Sequence, residues 1–344
     1  MDKKKLITSL VFIIIVGAVI ISLTVSKKSY AVGTTLVDTV KALNKGSSWS
    51  AGASGVYYTN SHEYRYIGAE VNNYVKFNND LYRIIGVFDE NSHGKSGEMV
   101  KLIRSRPLGA FSWGAYNSSN TSSTYSSYKN DWTGTTTGVK ANLNVLLNEY
   151  FYNKTDTSST YGPCTNWTYY YSDINYRTNS CSPIVGYGID ESLREYIETT
   201  TWYLYGSGTD QSKQNWYLCE RGGNSCTGAN SGGYSTTTDA KIGLMYLSDY
   251  LYASSYYTSS NTTTQSEYYF GNKNWLYKGY EWTLTPDASD ANTVWAVFYG
   301  AAYDHKSYNP HFFRPTFYLK SSVYVTGGNG SFDNPFTLGC SDCS

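Results

Sequence analysis

The sequence has no net charge: 27 lysine and arginine residues balance 27 aspartate and glutamate residues. Five of the lysines and one aspartate lie in residues 1–31, so the rest of the chain has 22 basic and 26 acidic residues, a net charge of −4. That balance lacks the basic surface that attracts nucleic acid or anionic lipid. We therefore expect no nucleic-acid partner.

Catalytic and cofactor-binding motifs are also scarce. Only four histidines occur, at positions 62, 93, 305 and 311, and no Gly-x-Ser-x-Gly, His-Glu-x-x-His or phosphate-binding glycine loop is present. A Ser/His/Asp triad stays open, because its members can be far apart in a chain. Asp287, Asp290 and Asn292 supply too few oxygens for a calcium site and predict a solvated turn instead. We assign no catalytic residue, metal or cofactor.

Long hydrophobic runs are limited to one, from Leu6 to Val25, which follows Lys3, Lys4 and Lys5. About 20 helical residues span the roughly 30 Å core of a bilayer. Ser29-Tyr30-Ala31 then places small residues where a signal peptidase cleaves. Residues 1–31 are therefore interpreted as a signal peptide or, if uncleaved, a membrane anchor through residues 6–25. Either fate predicts an extracytoplasmic protein, membrane-anchored or secreted.

Six cysteines occur, an even number that favours disulfides in an exported protein. Proximity in the sequence predicts the pairs Cys164–Cys181 and Cys219–Cys226. Cys340 and Cys343 lie in a short tail and could pair with each other. A zinc site is the alternative, but only the tail pair has C-x-x-C spacing.

Tyrosine is the abundant residue, with 37 copies against 12 Phe and 9 Trp. A tyrosine packs its ring and still offers a polar tip, which suits sheets with one wet face and adaptable binding surfaces. Along the chain, residues 32–60 predict a tether, because a short helix at 35–43 precedes a Gly/Ser-rich stretch. Residues 61–338 predict one α+β domain, and residues 339–344 a Cys-containing tail.

Within that domain the pattern predicts antiparallel strands, two main helices and long loops. The strands are expected at 73–77, 81–88, 99–104, 241–250, 280–284, 293–299 and 314–319, the first two joined as a hairpin through Asn78-Asn79-Asp80. The helices are expected at 139–152 and 190–203. Polar stretches, including 117–138, 285–292 and 300–313, are expected to be loops.

Several ordered motifs resemble a known group of proteins. They are YVKFNNDLYRIIGVF at 74–88, VKLIR at 100–104 with Trp113 and Trp132, LNEYF at 147–151 after Leu143-Asn144, IGLMYLSDY at 242–250, EWTLTP at 281–286, VWAV at 294–297 and RPTFYLK at 314–320. Over roughly residues 65–338 the chain resembles an uncharacterised family of exported proteins from gut Firmicutes and their wall-less relatives. Its last three strands are similar to C-type-lectin-like and formylglycine-generating-enzyme-like domains.

The resemblance implies a C-type-lectin-like fold, and two departures limit its further implications. Cys340 and Cys343 lie beyond the last strand motif, so the cysteine pair of formylglycine-generating enzymes is not matched. The Glu-Pro-Asn or Gln-Pro-Asp tripeptide and the Trp-Asn-Asp motif of calcium-dependent lectins are absent. Neither oxidase activity nor calcium-dependent sugar binding is therefore implied.

The stretch between the last two strand motifs is the candidate recognition site. Aromatic and amide side chains on a loop held by rigid strands are typical of adaptable binding sites. The candidate ligand-binding residues are Tyr299, Tyr303, Asp304, His305, Tyr308, Asn309, His311 and Phe312. A plain surface loop is the alternative. Trp282 and Trp295 are expected to be core residues, and Arg314 to form a structural bidentate pair.

These observations favour a bacterial cell-surface or secreted ligand-binding protein, with adhesion among the roles considered and a glycan or protein as ligand. One alternative is an extracytoplasmic enzyme related to formylglycine-generating enzymes. Another is a structural surface or pilus-associated component. The binding hypothesis requires an exposed aromatic face, and the enzyme hypothesis requires titratable groups clustered in one pocket.

Overall fold

The structure is a computed structural model that describes residues 33–50, 52–114, 129–154, 182–209, 211–223, 232–255 and 273–343. The described chain is a mixed α+β fold in which most strand pairs are antiparallel. This confirms the α+β class predicted from the sequence. Two larger sheets carry most of the strands, and short helices pack beside and between them.

The first large sheet has six strands, in the order β1-β2-β4-β5-β13 with β3 paired to β4. Its strands are β1 (Gly55–Tyr58), β2 (Tyr64–Ile67), β3 (Tyr74–Phe77), β4 (Asp80–Phe88), β5 (Met99–Arg104) and β13 (Thr316–Leu319). The hairpin β3–β4 turns through Asn78 and Asn79, which have φ angles of 53° and 56°. Asparagine tolerates this left-handed conformation, so the predicted hairpin is confirmed with its turn.

The second large sheet has five strands, in the order β11-β10-β9-β12-β6. They are β6 (Gly109–Ser112), β9 (Glu281–Pro286), β10 (Thr293–Phe298), β11 (Ala301–Lys306) and β12 (Pro310–Phe313). Only the β9–β12 contact is parallel. Trp282 and Trp295 are buried in this sheet, which confirms their predicted role in the core.

The remaining elements are short. The helices are α1 (Leu36–Lys41), α2 (Glu90–His93), α3 (Asn142–Val145) continued by a π-helix (Leu146–Tyr152), α4 (Ser182–Gly186), α5 (Glu191–Arg194), α6 (Lys213–Glu220) and α7 (Leu247–Tyr252). Two further two-stranded antiparallel sheets pair β7 (Thr200–Tyr203) with β8 (Thr237–Ala240), and β14 (Val323–Gly327) with β15 (Thr337–Cys340).

Helix α7 joins the two large sheets. It contacts β2 of the six-stranded sheet and β9 and β10 of the five-stranded sheet, and all six of its residues are buried. Asp249 starts the helix by accepting a hydrogen bond from the Tyr246 amide at 2.9 Å. We expected a strand over 241–250, and that prediction was wrong: residues 241–246 form no strand beyond an isolated bridge between Gly243 and Thr316, and α7 begins at Leu247. An apolar run this short does not distinguish a buried helix from a buried strand.

The two helix predictions had different outcomes. Helix α3 and the π-helix, at 142–152, confirm the first. The second, at 190–203, was wrong beyond Arg194, because residues 200–203 form β7. The β-branched and aromatic residues Thr200, Thr201 and Trp202 fit a pleated strand better than a helix.

The predicted tether at 32–60 also needs correction. Helix α1 lies in it and buries Leu36, Val37 and Val40, while β1 forms the edge of the six-stranded sheet. Thr35 pairs with Tyr324 of β14, so this segment is packed against the C-terminal hairpin. The apolar face of α1 is the reason: buried, it stabilises the fold, whereas a tether would expose it.

The described residues include three of the six cysteines. Cys340 and Cys343 form a disulfide, and Cys340 ends β15, so the expected tail begins inside a strand. Cys219 is disulfide-bonded, while Cys164, Cys181 and Cys226 lie outside the described residues. The pairs Cys164–Cys181 and Cys219–Cys226 stay predictions that non-reducing peptide mapping would test.

Residues 1–31, including the apolar run at 6–25, also lie outside the described part of the chain. Within the part that is described, every helix is too short or too polar to span a bilayer.

Candidate functional site

Strands β9 to β12 place a group of ring side chains on one face of the five-stranded sheet. Ala296 of β10 lies opposite Trp282 on one side and Tyr303 on the other. Since side chains alternate along a strand, Phe298 and His305 share that face. We call the following group the aromatic platform: Tyr280, Phe298, Tyr299, Tyr303, His305 and His311.

Phe298 is the centre of the platform. Its ring centroid lies 4.3 Å from that of Tyr280, with the rings stacked, and 4.5 Å from that of His305. The Tyr299 and Tyr303 rings follow at 4.6 Å and 5.8 Å. These separations fall in the range in which aromatic pairs stabilise each other. The rings therefore hold one another in place before any ligand arrives.

Exposure changes sharply across the platform. The side chains of Tyr299 and Tyr303 are 51% and 52% exposed, whereas His311 is 7% exposed and the Trp282 beneath it is fully buried. The Trp282 and His311 rings lie 4.5 Å apart. Two exposed tyrosines thus pack on half-buried rings, and buried His311 and Trp282 lie beneath these.

Two imidazoles and an amide form the polar part of the site. His311 Nε2 lies 2.9 Å from His305 Nδ1, and Asn309 Nδ2 lies 3.2 Å from the same atom. An amide nitrogen only donates, so Nδ1 of His305 accepts and its proton is on Nε2. Among the described residues, His305 Nε2 has no hydrogen-bond partner and can donate to a ligand.

Burial keeps the two imidazoles neutral. It lowers the pKa of His311 to about 3, and the adjacent His305 adds to that shift. Burial also lowers the pKa of His305, against the opposing effect of Asp304. A protonated imidazole in this position would be desolvated and would face its neighbour at hydrogen-bond distance. The platform is therefore uncharged at neutral pH.

The turn between β10 and β11 has an unusual backbone. Tyr299 and Gly300 form a two-residue turn in which φ is 49° and 79°. Both positions of such a turn require positive φ, and Asn-Gly is the favoured pair. A bulky tyrosine at the first position is uncommon and strained. Strain of this kind, at an exposed residue, is found most often at functional sites.

The candidate residues divide into two groups. Tyr299, Tyr303, His305, Asn309 and His311 come together at the platform. The other three do not: Asp304 is exposed on the opposite face of β11, Phe312 is half-buried on the opposite face of β12, and Tyr308 is half-buried in the turn at 307–309.

The predicted loop at 300–313 was wrong, because it consists mainly of β11 and β12. Tyr280 and Phe298 also belong to the platform, although the sequence pattern predicts them only as strand residues without a functional role. The alternation of side chains along β10 and β11 is the feature that could have identified Phe298. Once the turn is placed at Tyr299-Gly300, Phe298 must face the same side as Tyr303 and His305.

A second cluster of charged residues lies in the interior, and no sequence motif had indicated it. Asp249 of α7 accepts from Arg65 Nη1 at 2.8 Å and from Lys101 Nζ at 2.7 Å. Arg65 also pairs with Glu63, and all four side chains are at most 1% exposed. Glu220 is likewise buried and accepts from Ser248 and Thr285.

The possible metal ligands are already occupied. Within the described residues, the one group of three ligand side chains is Cys340, Asp342 and Cys343, and the disulfide uses both of its sulfurs. Asp287 accepts from Ser289 and Thr293, and Asp290 from Asn292 and Lys306. Asp287 is 3% exposed, so the turn expected to be solvated is partly buried.

Comparison with protein-family models, with curated proteins and with solved structures gave no match.

Proposed function

We propose that the protein is an extracytoplasmic ligand-binding protein that recognises carbohydrate on the aromatic platform. The observation that carries this proposal is the pair of half-exposed tyrosines, Tyr299 and Tyr303, packed on the half-buried ring of Phe298 beside His305 and Asn309. A display or adhesive role at the bacterial surface fits such a site.

The chemistry of the platform matches that of a neutral sugar. The C–H face of a pyranose packs against an aromatic ring through apolar burial and dispersion. His305 Nε2–H and the Asn309 amide border the rings and supply hydrogen bonds for hydroxyl groups. Because both imidazoles are neutral, the platform offers no charge to select an acidic sugar.

The finer assignments rest on the sequence. A C-type-lectin-like fold and membership of the exported Firmicutes family are part of this proposal, supported by the ordered strand motifs at 74–88, 281–286 and 314–320. Export is supported by the apolar run at 6–25 and the site at 29–31. Whether the ligand belongs to a glycan or a protein is decided by the experiment below.

The enzyme alternative has less support. It requires titratable groups gathered in an accessible pocket. The densest cluster in the described part of the chain, around Asp249, is buried and ion-paired. Its geometry provides no open position for a substrate.

The test is a glycan-array screen followed by affinity measurement with two matched variants. Tyr303→Ala should weaken binding to the selected glycan at least tenfold, because an aromatic anchor is worth about 2 kcal/mol or more. Tyr187→Ala removes a tyrosine of nearly equal exposure, 50%, outside the platform and should bind normally. Both variants should lose a similar, small amount of stability, about 1 kcal/mol, because Tyr303 contacts the Phe298 ring and Tyr187 contacts Arg104.

Three results would contradict the proposal or part of it. Equal affinities for the two variants would place the site elsewhere. A silent array with binding to a surface protein would replace glycan with protein as the ligand.

Protease treatment of intact cells tests localisation, since protection of residues 33–343 until lysis would exclude an external position.

A further inference from the structure

Lys101 and Asp249 meet in the centre of the molecule although 148 residues separate them in sequence. Lys101 lies in the middle of β5, and Asp249 lies in the first turn of α7. Lys101 Nζ is 2.7 Å from Asp249 Oδ2, and both side chains are fully buried. Water therefore has no access to a pair that consists of an amine and a carboxyl group in direct contact.

Aromatic rings line the site around Lys101. Its Nζ atom lies 4.4 Å from the Tyr246 ring centroid, 5.2 Å from those of Trp202 and Tyr318, and 5.3 Å from that of Phe88. Among the described residues, Asp249 is the hydrogen-bond acceptor of Nζ. Burial is the largest influence on Lys101 and lowers its pKa to about 8. The neutral amine, which is the nucleophilic form, is therefore more populated than in an exposed lysine. Although burial favours the neutral acid, the charges of Lys101 and Arg65 lower the pKa of Asp249 to about 2, so the pair rests as ammonium and carboxylate and proton transfer within it is an uphill step.

Arg65 holds the other side of the carboxyl group. Its Nη1 donates to Asp249 Oδ1 at 2.8 Å, and Glu63 fixes the guanidinium through Arg65 Nε at 2.9 Å. Arg65 is itself 1% exposed. A fixed cation at one carboxyl oxygen, in a dry site, is placed to stabilise negative charge that develops there.

The distance is also suitable for reaction. A nitrogen 2.7 Å from one oxygen of a carboxyl group lies roughly 3.2–3.5 Å from the carboxyl carbon, by standard bond lengths, and reacting atoms in near-attack geometries are about 3–3.5 Å apart. The fold therefore holds the two groups in place as an intramolecular reactant pair.

We propose that Lys101 and Asp249 condense to form an amide cross-link between their side chains. A proton passes from the ammonium group to Oδ2 along the hydrogen bond, and neutral Nζ then attacks Cγ. The negative charge of the tetrahedral intermediate develops on Oδ1, where Arg65 donates. A second proton from the nitrogen reaches Oδ2, the Cγ–Oδ2 bond breaks, and water leaves. The ammonium and carboxylate supply every atom of the products, and no other reactant is consumed.

The change in environment favours the amide. A buried ion pair retains a desolvation cost that its mutual attraction offsets only in part. The amide is neutral, and its oxygen keeps the hydrogen bond from Arg65. The reaction loses one hydrogen bond. The Tyr246 amide donates to Asp249 Oδ2 at 2.9 Å, and this oxygen leaves as water. The product would tie the six-stranded sheet covalently to α7 and close a long loop, which restricts the unfolded chain.

The experiment is intact-mass spectrometry of the full chain after reduction in denaturant. The wild type should weigh about 18 Da, one water, less than the mass of its sequence from the experimentally determined N-terminus. Proteolysis should then release a branched peptide in which tandem spectra join Lys101 to Asp249. Lys101→Arg, which keeps the positive charge, should have the full mass.

Two results would overturn the cross-link. One is an unshifted wild-type mass with separate, unmodified peptides for Lys101 and Asp249. The other is a loss of water that maps to a different residue. Both are measured on the wild type, so the conclusion does not depend on the folding of a variant.

Discussion

At the scale of single residues, His311 should make the stability of the protein depend on pH. Its pKa is lowered to about 3 by burial, whereas the pKa of an unfolded histidine is about 6.5. A group whose folded pKa is depressed favours folding above its unfolded pKa, and this contribution is lost as the pH falls toward the folded value. His311 alone should therefore reduce the free energy of unfolding by about 2 kcal/mol between pH 7 and pH 5.

Urea unfolding at pH 7, 6 and 5 measures this effect. The His311→Gln variant keeps a polar side chain but binds no proton in this range, so its stability should fall less steeply with acidity. Buried His93 and half-buried His305, whose pKa values are also lowered by burial, stay in both proteins, so the difference between the two slopes reports His311 together with its effect on His305. Parallel curves for wild type and variant would contradict the assignment.

Arg314 confirms a residue-scale prediction from the sequence. Its Nε and Nη2 donate to the two oxygens of Glu281 at 2.6 Å and 2.7 Å, which is the expected bidentate pair. Glu281→Gln would leave the buried guanidinium without a counter-charge and should lower the free energy of unfolding by about 3–5 kcal/mol. Glu149→Gln, which breaks an exposed pair with Lys140, should cost less than about 1 kcal/mol. Equal losses in chemical denaturation would show that burial does not set the cost.

At the scale of secondary-structure elements, a substitution in the turn of the β10–β11 hairpin should affect stability and ligand binding in opposite directions. Tyr299 adopts a φ of 49° that asparagine tolerates better, and Asn-Gly is the favoured sequence for this turn. Tyr299→Asn relieves this strain but loses the ring contacts with Phe298 and Tyr280, so the net gain in the free energy of unfolding should be at most about 1 kcal/mol. Because it also removes an exposed ring, it should weaken ligand binding.

Thermal unfolding and affinity measured on the same preparation check both parts. Asn79→Tyr places a tyrosine at the second position of the β3–β4 turn, where φ is also positive at 56°, and should reduce stability without changing affinity. A Tyr299→Asn protein that is both less stable and normal in binding would contradict the view that this turn is strained for function.

Strands with local signals were predictable, and elements defined by distant partners were not. β5 at 99–104 and the β3–β4 hairpin follow directly from their residue pattern and turn chemistry. β11 and β12 were missed because Tyr303 to His311 looks polar and aromatic like a binding loop. These strands exist because they pair with β10, β9 and β6, and such pairing leaves little trace in the local sequence.

The candidate site, too, could be predicted from the sequence only where its residues are close together along the chain. Five of its eight predicted residues meet at the platform because a hairpin brings neighbours in sequence together. Tyr280 was missed because it directly precedes β9, which pairs with β10 and β12 although these strands come from separate parts of the chain. The interior cluster at Asp249 joins positions 63, 65, 101 and 249, a set that no local pattern identifies.

At the scale of the whole molecule, the two ends of the described chain pack together. Thr35 pairs with Tyr324, and the Val325 amide donates to the Thr34 carbonyl at 3.0 Å. Helix α1 also contacts β4, β5 and β14. The segment that follows residues 1–31 is thus part of the folded structure, and an anchor at residues 6–25, if retained, would hold the domain close to the membrane.

This packing distinguishes a structural N-terminal segment from the tether predicted by the sequence. Leu36 is 1% exposed, so Leu36→Ala should lower the free energy of unfolding by about 2–4 kcal/mol through lost burial and a residual cavity. Ser48→Ala, at an exposed position of the same segment, should change it by less than about 0.5 kcal/mol. Urea denaturation of both variants at neutral pH measures the difference. If Leu36→Ala were as stable as the wild type, α1 would not be anchored in solution, and the segment would be the flexible tether that its Gly/Ser content suggested.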